Sequence, residues 1–217
     1  KMELNTIRQI SNNNDLFFLD CGSNYGFYSF FTASLKEDNI IIAIEASKNT
    51  CEVFKKNLKL NQFKNIHLIN CALSDSNDEE IEFSESENDW ESSLLHENFK
   101  LKYKSKIFTK KIDSILLNKN LYNKTLFIKL DIEGSEFKAL AGADSTIKDF
   151  SPIIIIEISR YIFNQNDAKS YFSNFLKKYD YKIYDNKKNE LSYDKVFNLI
   201  ENLDSSHNTI GNYFLIK

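Results

Sequence analysis

Short, fully apolar runs alternate with longer stretches whose apolar residues recur at helical spacing, and this alternation limits the fold more than any other property of the chain. Leu16–Leu19 (LFFL) is an unbroken apolar run that stops at Asp20 and Cys21, which suits a strand covered on both faces. Tyr25–Leu35 reads as a helix, Asn39–Ile44 (NIIIAI) as a second buried strand, Ser47–Leu60 as a second helix and Asn65–Asn70 as a third strand. Strand, helix, strand, helix, strand predicts a parallel sheet wound by right-handed crossovers. The alternation resumes with Thr125–Leu130 as a strand and Glu136–Phe150 as a helix. Pro152 then opens Ile153–Ile158, and a proline at the first residue of a strand, where its missing N–H does least harm, marks a central buried strand. Asp167–Tyr179 and Asp194–Leu203 read as helices, Tyr181–Tyr184 and Asn212–Ile216 as two closing strands. With no internal repeat or linker, the expectation is one domain over 1–217, with 1–15 as an N-terminal extension and 75–111 as a charged insertion or flap.

Composition narrows the class. With 217 residues, 42% of them hydrophobic, the chain has enough bulk to bury about two thirds to three quarters of its unfolded surface. The 28 basic and 31 acidic residues give a net charge of −3, so no global field draws the molecule to nucleic acid or an anionic membrane. Lysine outnumbers arginine 26 to 2, and bidentate grips on guanine or phosphate need arginine's fork; no nucleic-acid partner is expected. Cys21, Cys51 and Cys71 are odd in number and lack C-x-x-C spacing, which argues against a disulfide framework or a zinc knuckle. No apolar run approaches the roughly 18 residues that span a bilayer, and Lys1–Ile10 lacks the core of a secretory signal. A soluble, cytoplasmic protein is expected.

The middle of the chain is charged in blocks. Asp75–Glu91 holds nine acidic side chains and no basic one, whereas Lys100–Lys111 holds six lysines and no acid. Adjacent blocks of opposite sign read first as solvated hairpin faces that attract one another, with a flap over a pocket as the functional alternative. Trp90, the only tryptophan, and Ser93 lie between the blocks in WESSL, with His96 just beyond. These three are candidate substrate contacts, although Trp90 would serve equally as an anchor for the loop and a lone loop histidine is usually just exposed.

Four of the five glycines fall in two short segments. The first, Asp20–Gly26 (DCGSNYG), follows one expected strand and opens a helix, where glycine lets the backbone turn sharply and approach a ligand. A tight turn would use the same glycines for shape alone. Glu45, however, ends the second strand, and a doubly wound sheet places such a carboxylate beside the first loop, where it can accept both hydroxyls of a ribose. The G-x-G-x-x-G fingerprint is missing, and Asp20 stands where a pyrophosphate would be repelled. An adenosine ligand with a cationic or zwitterionic end fits better than NAD, and S-adenosylmethionine meets that description.

The second cluster is I-K-L-D-I-E-G-S-E-F-K-A-L-A-G-A, Ile128–Ala143. Together with D-x-G-x-N-x-G-x-x-S (Asp20–Ser29), Glu45 in A-I-E-A, N-x-A-L-S-D (Asn70–Asp75) and P-I-I-I-I-E (Pro152–Glu157), it makes the chain resemble the FkbM-family methyltransferases over roughly Leu16 to Glu157. The resemblance implies an α/β Rossmann-like class I methyltransferase fold, with a mostly parallel twisted sheet, helices on both faces and an antiparallel last strand. It also implies S-adenosylmethionine as methyl donor and O-methylation of sugars or other natural products. By position, Asp20, Gly22, Asn24 and Gly26 would cradle the methionine end and Glu45 the ribose. Cys71 and Ala72 would lie along the adenine, with Asp75 a candidate for its amino group; Cys71 stands where the pattern commonly carries an acidic adenine partner.

Asp131 and Glu133 follow the fourth long strand, at the carboxyl edge where open α/β sheets bind ligands. If the strand continues that far, period-two alternation sends both the same way. Methyl transfer is an in-line displacement, so the protein has to hold an acceptor oxygen about 3 Å from the methyl carbon and remove its proton. Asp131 is the first choice for that task. Glu133 would share it, or the pair would hold a divalent metal, which is not favoured. Glu136 and Gly134 read as structural, and Lys129 as a partner for Asp131 or Glu157. The acceptor is expected to be a small molecule or glycan, and a dimer stays open. The alternatives are a nicotinamide-dependent oxidoreductase and a non-catalytic binding domain on the same fold.

Overall fold

A computed structural model describes residues 2–86, 101–163, 167–203 and 209–217. In chain order its elements begin α1 (Met2–Asn13), β1 (Asp15–Cys21), α2 (Phe27–Leu35), β2 (Ile40–Glu45), α3 (Lys48–Asn61), β3 (Ile66–Asn70) and β4 (Ala72–Leu73). The charged middle forms β5 (Glu80–Ser86) and β6 (Leu101–Lys110), followed by α4 (Ile112–Leu116), β7 (Lys124–Leu130), α5 (Glu136–Ala141) and α6 (Asp144–Phe150). The last third comprises β8 (Ile153–Ser159), α7 (Arg160–Phe163), α8 (Ala168–Tyr179), β9 (Lys182–Tyr184), β10 (Glu190–Leu191), α9 (Tyr193–Glu201) and β11 (Thr209–Ile216).

Eight strands make the main sheet, in the order β10-β9-β11-β8-β7-β1-β2-β3. The five from β8 to β3 pair in parallel, and β11 runs antiparallel between β8 and β9. The apolar runs are buried on both sides because alternate residues feed two cores. Phe17, Leu19, Ile42, Ile44, Ile128, Leu130, Ile154 and Ile156 belong to one, and Leu16, Phe18, Ile41, Phe127 and Ile155 to the other. Ile7 of α1 is fully buried against the second core. All three cysteines are buried free thiols.

Winding proceeds from β1 outward to β3, then returns to β7 on the other side of β1. The carboxyl ends of β1, β2 and β7 therefore surround a switch point, where open α/β sheets have a crevice. The expected helix 136–150 is two helices. Gly142 ends the first, and a Cβ there would come within 2.2 Å of the Ser74 carbonyl oxygen. The Asp113 carboxylate then accepts the N–H groups of Ser145 and Thr146, at 3.0 and 2.8 Å, and so satisfies the first turn of α6.

The opposite charge blocks meet in the β5–β6 hairpin, where Glu80 pairs with Lys106 and Glu82 with Lys104 diagonally across the strands. These exposed pairs fix register more than they add stability. The other face of the hairpin is apolar: Phe83 and Ile107 are buried against Ala72 of β4, which pairs with β6.

Candidate active site

The switch point opens into a cavity of about 850 Å³. Its floor begins with the turn after β1. Gly22 has φ +74°, and a Cβ on it would stand 1.8 Å from the carbonyl oxygen of Asp131, so only glycine lets this turn lie against the chain leaving β7. The N–H groups of Gly22 and Ser23 both donate to the Ile44 carbonyl at 3.0 Å, tying the turn to β2. Ser23 is 5% exposed, and its hydroxyl has no hydrogen-bond partner among the described residues although it lines the cavity.

Glu45 ends β2 in the same cavity. One carboxylate oxygen accepts the Asn24 N–H at 2.9 Å and the other the Ser47 N–H at 2.8 Å, which leaves each able to accept a second donor. Burial pushes its carboxyl above the ordinary range, and the two N–H groups oppose that shift. The Asn70 amide holds the chain behind it by donating to the carbonyls of Glu45 and Ala46 at 2.8 and 2.9 Å.

Gly22, Asn24, Glu45, Cys71 and Ala72 all line this cavity, together with Asp131 and Glu133. Asp20 stands behind the lining. On β1 it shares the side of Phe18, beneath α2, where one carboxylate oxygen accepts the Ser29 hydroxyl at 2.6 Å and the other lies 3.7 Å from the Lys129 ammonium. Gly26 is also outside the lining and caps α2 in a left-handed conformation. Asp75 borders a separate cavity of about 220 Å³ with Phe137 and Tyr171, because β4 and the bend after it carry it away from Cys71. Trp90, Ser93 and His96 lie outside the described residues.

Lys129 is buried and paired in register with Asp20 on β1. Its ammonium also lies 3.1 Å from Asp131, 3.4 Å from the Gly22 carbonyl and 5.1 Å from the centre of the Tyr28 ring. Burial works against its charge, yet Asp131 and Asp20 outweigh burial and hold it more firmly protonated than an ordinary lysine.

The strand does not continue to Glu133 as alternation would need: β7 ends at Leu130. Asp131 follows directly, and Glu133 reaches the cavity because it and Gly134 take successive left-handed conformations, φ +54° and +102°. Leu130 pairs with Ile156, so Glu157 comes level with Asp131 one step further on. Asp131, Glu133 and Glu157 each present an oxygen within 4.8 Å of one another. Burial, reinforced by Asp131 and Glu136, pushes the Glu157 carboxyl up to about 7. Three hard oxygens form a donor set of the kind a divalent cation accepts, but the Lys129 ammonium beside Asp131 would repel one.

The sequence offered Glu157 only as a partner for Lys129, not as a site carboxylate, and the aromatic wall was passed over. Tyr25, Phe27, Tyr28 and Phe83 all border the cavity, and Phe27 is 60% exposed. The signal was the density of rings in Tyr25–Phe31 (YGFYSFF).

A mostly parallel sheet with β11 and the short β10 reversed, a glycine turn after β1 and an acid at the end of β2 define a Rossmann-like methyltransferase fold. A family profile described as the Methyltransferase FkbM domain matches residues 20–183, and the chain belongs to that family. Among solved structures, the methyltransferase FkbM from Methylobacillus flagellatus KT aligns with a TM-score of 0.57 at 18% identity, over 93% of this chain and 43% of that one. The chain thus spans less than half the length of that relative. A Staphylococcus aureus protein described as a caffeoyl-CoA O-methyltransferase gives 0.53 at 16% identity, over 100% and 83%. The SMU.1697c protein of Streptococcus mutans, described as a methyltransferase and solved in complex with SAH, gives 0.53 at 11%, over 100% and 96%. At these identities the likeness is one of fold. No curated protein matches by sequence. Among the described residues no helix is long and apolar enough to cross a membrane.

Proposed function

We propose that the protein transfers a methyl group from S-adenosylmethionine to a hydroxyl of a sugar or another small natural-product acceptor. The observation that carries this reading is that Glu45, Asp131 and Glu133 line one cavity. The lining fits the donor in three ways. The orphaned Ser23 hydroxyl offers a hydrogen bond to a polar group, and Glu45 keeps acceptor capacity for ribose hydroxyls. Among the described residues, four lining carboxylates, those of Glu45, Asp131, Glu133 and Glu157, outnumber one lining ammonium, that of Lys129; this suits a sulfonium and an α-amino group and disfavours a pyrophosphate. SAH in the Streptococcus mutans protein supports the same donor.

Bound there, S-adenosylmethionine supplies an electrophilic methyl group. Gly22, Ser23 and Asn24 hold its amino-acid end, Glu45 its ribose, and Cys71 and Ala72 flank its base. Asp131 orients the acceptor hydroxyl and takes its proton, with Lys129 fixing the direction of that carboxylate. Glu133 and Glu157 share the proton, and a carboxyl near 7 is matched to that work at neutral pH. The faces of Phe27 and Tyr25 offer an apolar surface for the C–H side of a sugar ring.

Calorimetric titration of S-adenosylmethionine and S-adenosylhomocysteine tests the reading, with NAD beside them and Glu45→Ala as control. Binding of both sulfur ligands that is lost in the variant is the expected result. Binding of NAD alone would replace the reading with an oxidoreductase, and binding of none would leave a non-catalytic domain.

A further inference from the structure

Glu136 opens α5 and is fully buried, yet its hydrogen-bond partners are backbone groups of the loop before it. One carboxylate oxygen accepts the Ile132 N–H at 2.8 Å, and the other accepts the Gly134 N–H at 3.0 Å. The two bonds straddle Glu133, whose φ of +54° is a left-handed conformation that a side chain disfavours. At the near end, the Asp131 N–H donates to the Cys21 carbonyl at 3.2 Å. The loop bearing Asp131 and Glu133 is therefore fastened at one end to β1 and at the other to the Glu136 carboxylate.

A carboxylate is a costly choice for that position if shape alone mattered. Burial pushes the Glu136 carboxyl up to about 7, against the pull of the N–H groups it accepts, so the charge is held at the expense of stability near neutral pH. An uncharged isostere would avoid that expense. What only the carboxylate provides is two acceptors side by side, since a glutamine amide offers one acceptor and turns a donor toward the second N–H.

We propose that Glu136 is a positioning residue for methyl transfer, bridging the Ile132 and Gly134 N–H groups so that the left-handed turn between them carries the Asp131 and Glu133 carboxylates into the cavity. The proposal rests on the donor reading above, in which those carboxylates face the reacting groups.

Glu136→Gln tests it without any acceptor. Amide hydrogen exchange is expected to speed up about tenfold at Ile132 and Gly134, the loss of roughly one net hydrogen bond, with the amides of β1 and β2 unchanged. By calorimetry, the preference for S-adenosylmethionine over S-adenosylhomocysteine is expected to fall about threefold to tenfold, because the displaced carboxylates no longer favour the sulfonium charge. A purely structural role would lower the melting temperature and leave that ratio alone. Should the glutamine variant fail to fold, Glu136→Asp, too short to reach both N–H groups, takes its place with the same two readouts. Unchanged exchange at the two amides would overturn the proposal, and so would faster exchange with an unchanged ratio. Failure of the donor reading would show in the unsubstituted protein, which would then bind neither sulfur ligand, and the positioning role would fall with it.

Discussion

Replacing Lys129 with methionine removes the cation that faces Asp20 and Asp131 and keeps most of the side chain's length. At an effective dielectric constant of 20, attraction to Asp131 at 3.1 Å amounts to about 5 kcal/mol and to Asp20 at 3.7 Å to about 4.5 kcal/mol. Desolvation of the ammonium takes back several kcal/mol, and the Asp131 side chain, 32% exposed, is partly screened by water. The buried Asp20 has no such relief and would be left with the hydroxyl and backbone N–H of Ser29. A net loss of about 4 kcal/mol at pH 8 is expected, within the 3–5 kcal/mol typical of breaking a buried pair. Without the lysine the Asp20 carboxyl rises further, and a raised carboxyl costs stability as pH rises through it, so the loss should be smaller at pH 5. Urea unfolding followed by circular dichroism at both pH values measures the effect, and Asp20→Asn on the Lys129→Met background should recover part of it. A loss under about 1 kcal/mol at pH 8, or equal losses at the two pH values, would refute the reasoning.

Gly22→Ala should lower the melting midpoint by about 6–12 °C, corresponding to about 3 kcal/mol, because φ +74° and the Asp131 carbonyl both oppose a Cβ; a shift within about 2 °C would count against the packing described. Glu136 and Glu157 have carboxyls near 7 against an ordinary 4.5, so the folded state binds extra protons between those values. Stability should therefore fall as pH rises from 5 to 7.5, by up to about 3 kcal/mol per group, and Glu157→Gln should flatten the curve; a flat or rising profile in the wild type would contradict this. Ser23→Ala should weaken S-adenosylmethionine binding about threefold to tenfold in calorimetry while leaving the melting temperature unchanged or higher, since its hydroxyl has no partner among the described residues. Undiminished affinity would remove Ser23 from the donor site.

The strands were legible because burial on both faces leaves a run such as IIIAI or IIII with no polar gap to misread, and the reversed β11 followed from the family resemblance. The place of Glu45 in the cavity was legible because it depends only on ending β2 beside the first loop. Asp20 was not: its place before a glycine turn suggested ligand contact, and only the parity of β1 shows that its side chain lies with Phe18. Asp131 and Glu133 were singled out for a geometry they do not have, since the left-handed turn that delivers Glu133 depends on the side chain of Glu136, three residues on. Gly142, between α5 and α6, has room for no side chain because Ser74, distant in sequence, passes beside it. Close approaches of that kind leave no periodic trace.

The three buried thiols give the protein a built-in chemical clock. Burial raises all of them, Cys51 and Cys71 to about 12, so a thiol reagent at pH 8 should react only as fast as the surrounding structure opens. Cys71 borders the cavity at the junction of β3 and β4, whereas Cys21 is sealed between β2 and β7 at the centre of the sheet. Labelling of Cys71 thus times the opening of the cavity wall, and labelling of Cys21 times the parting of the sheet itself.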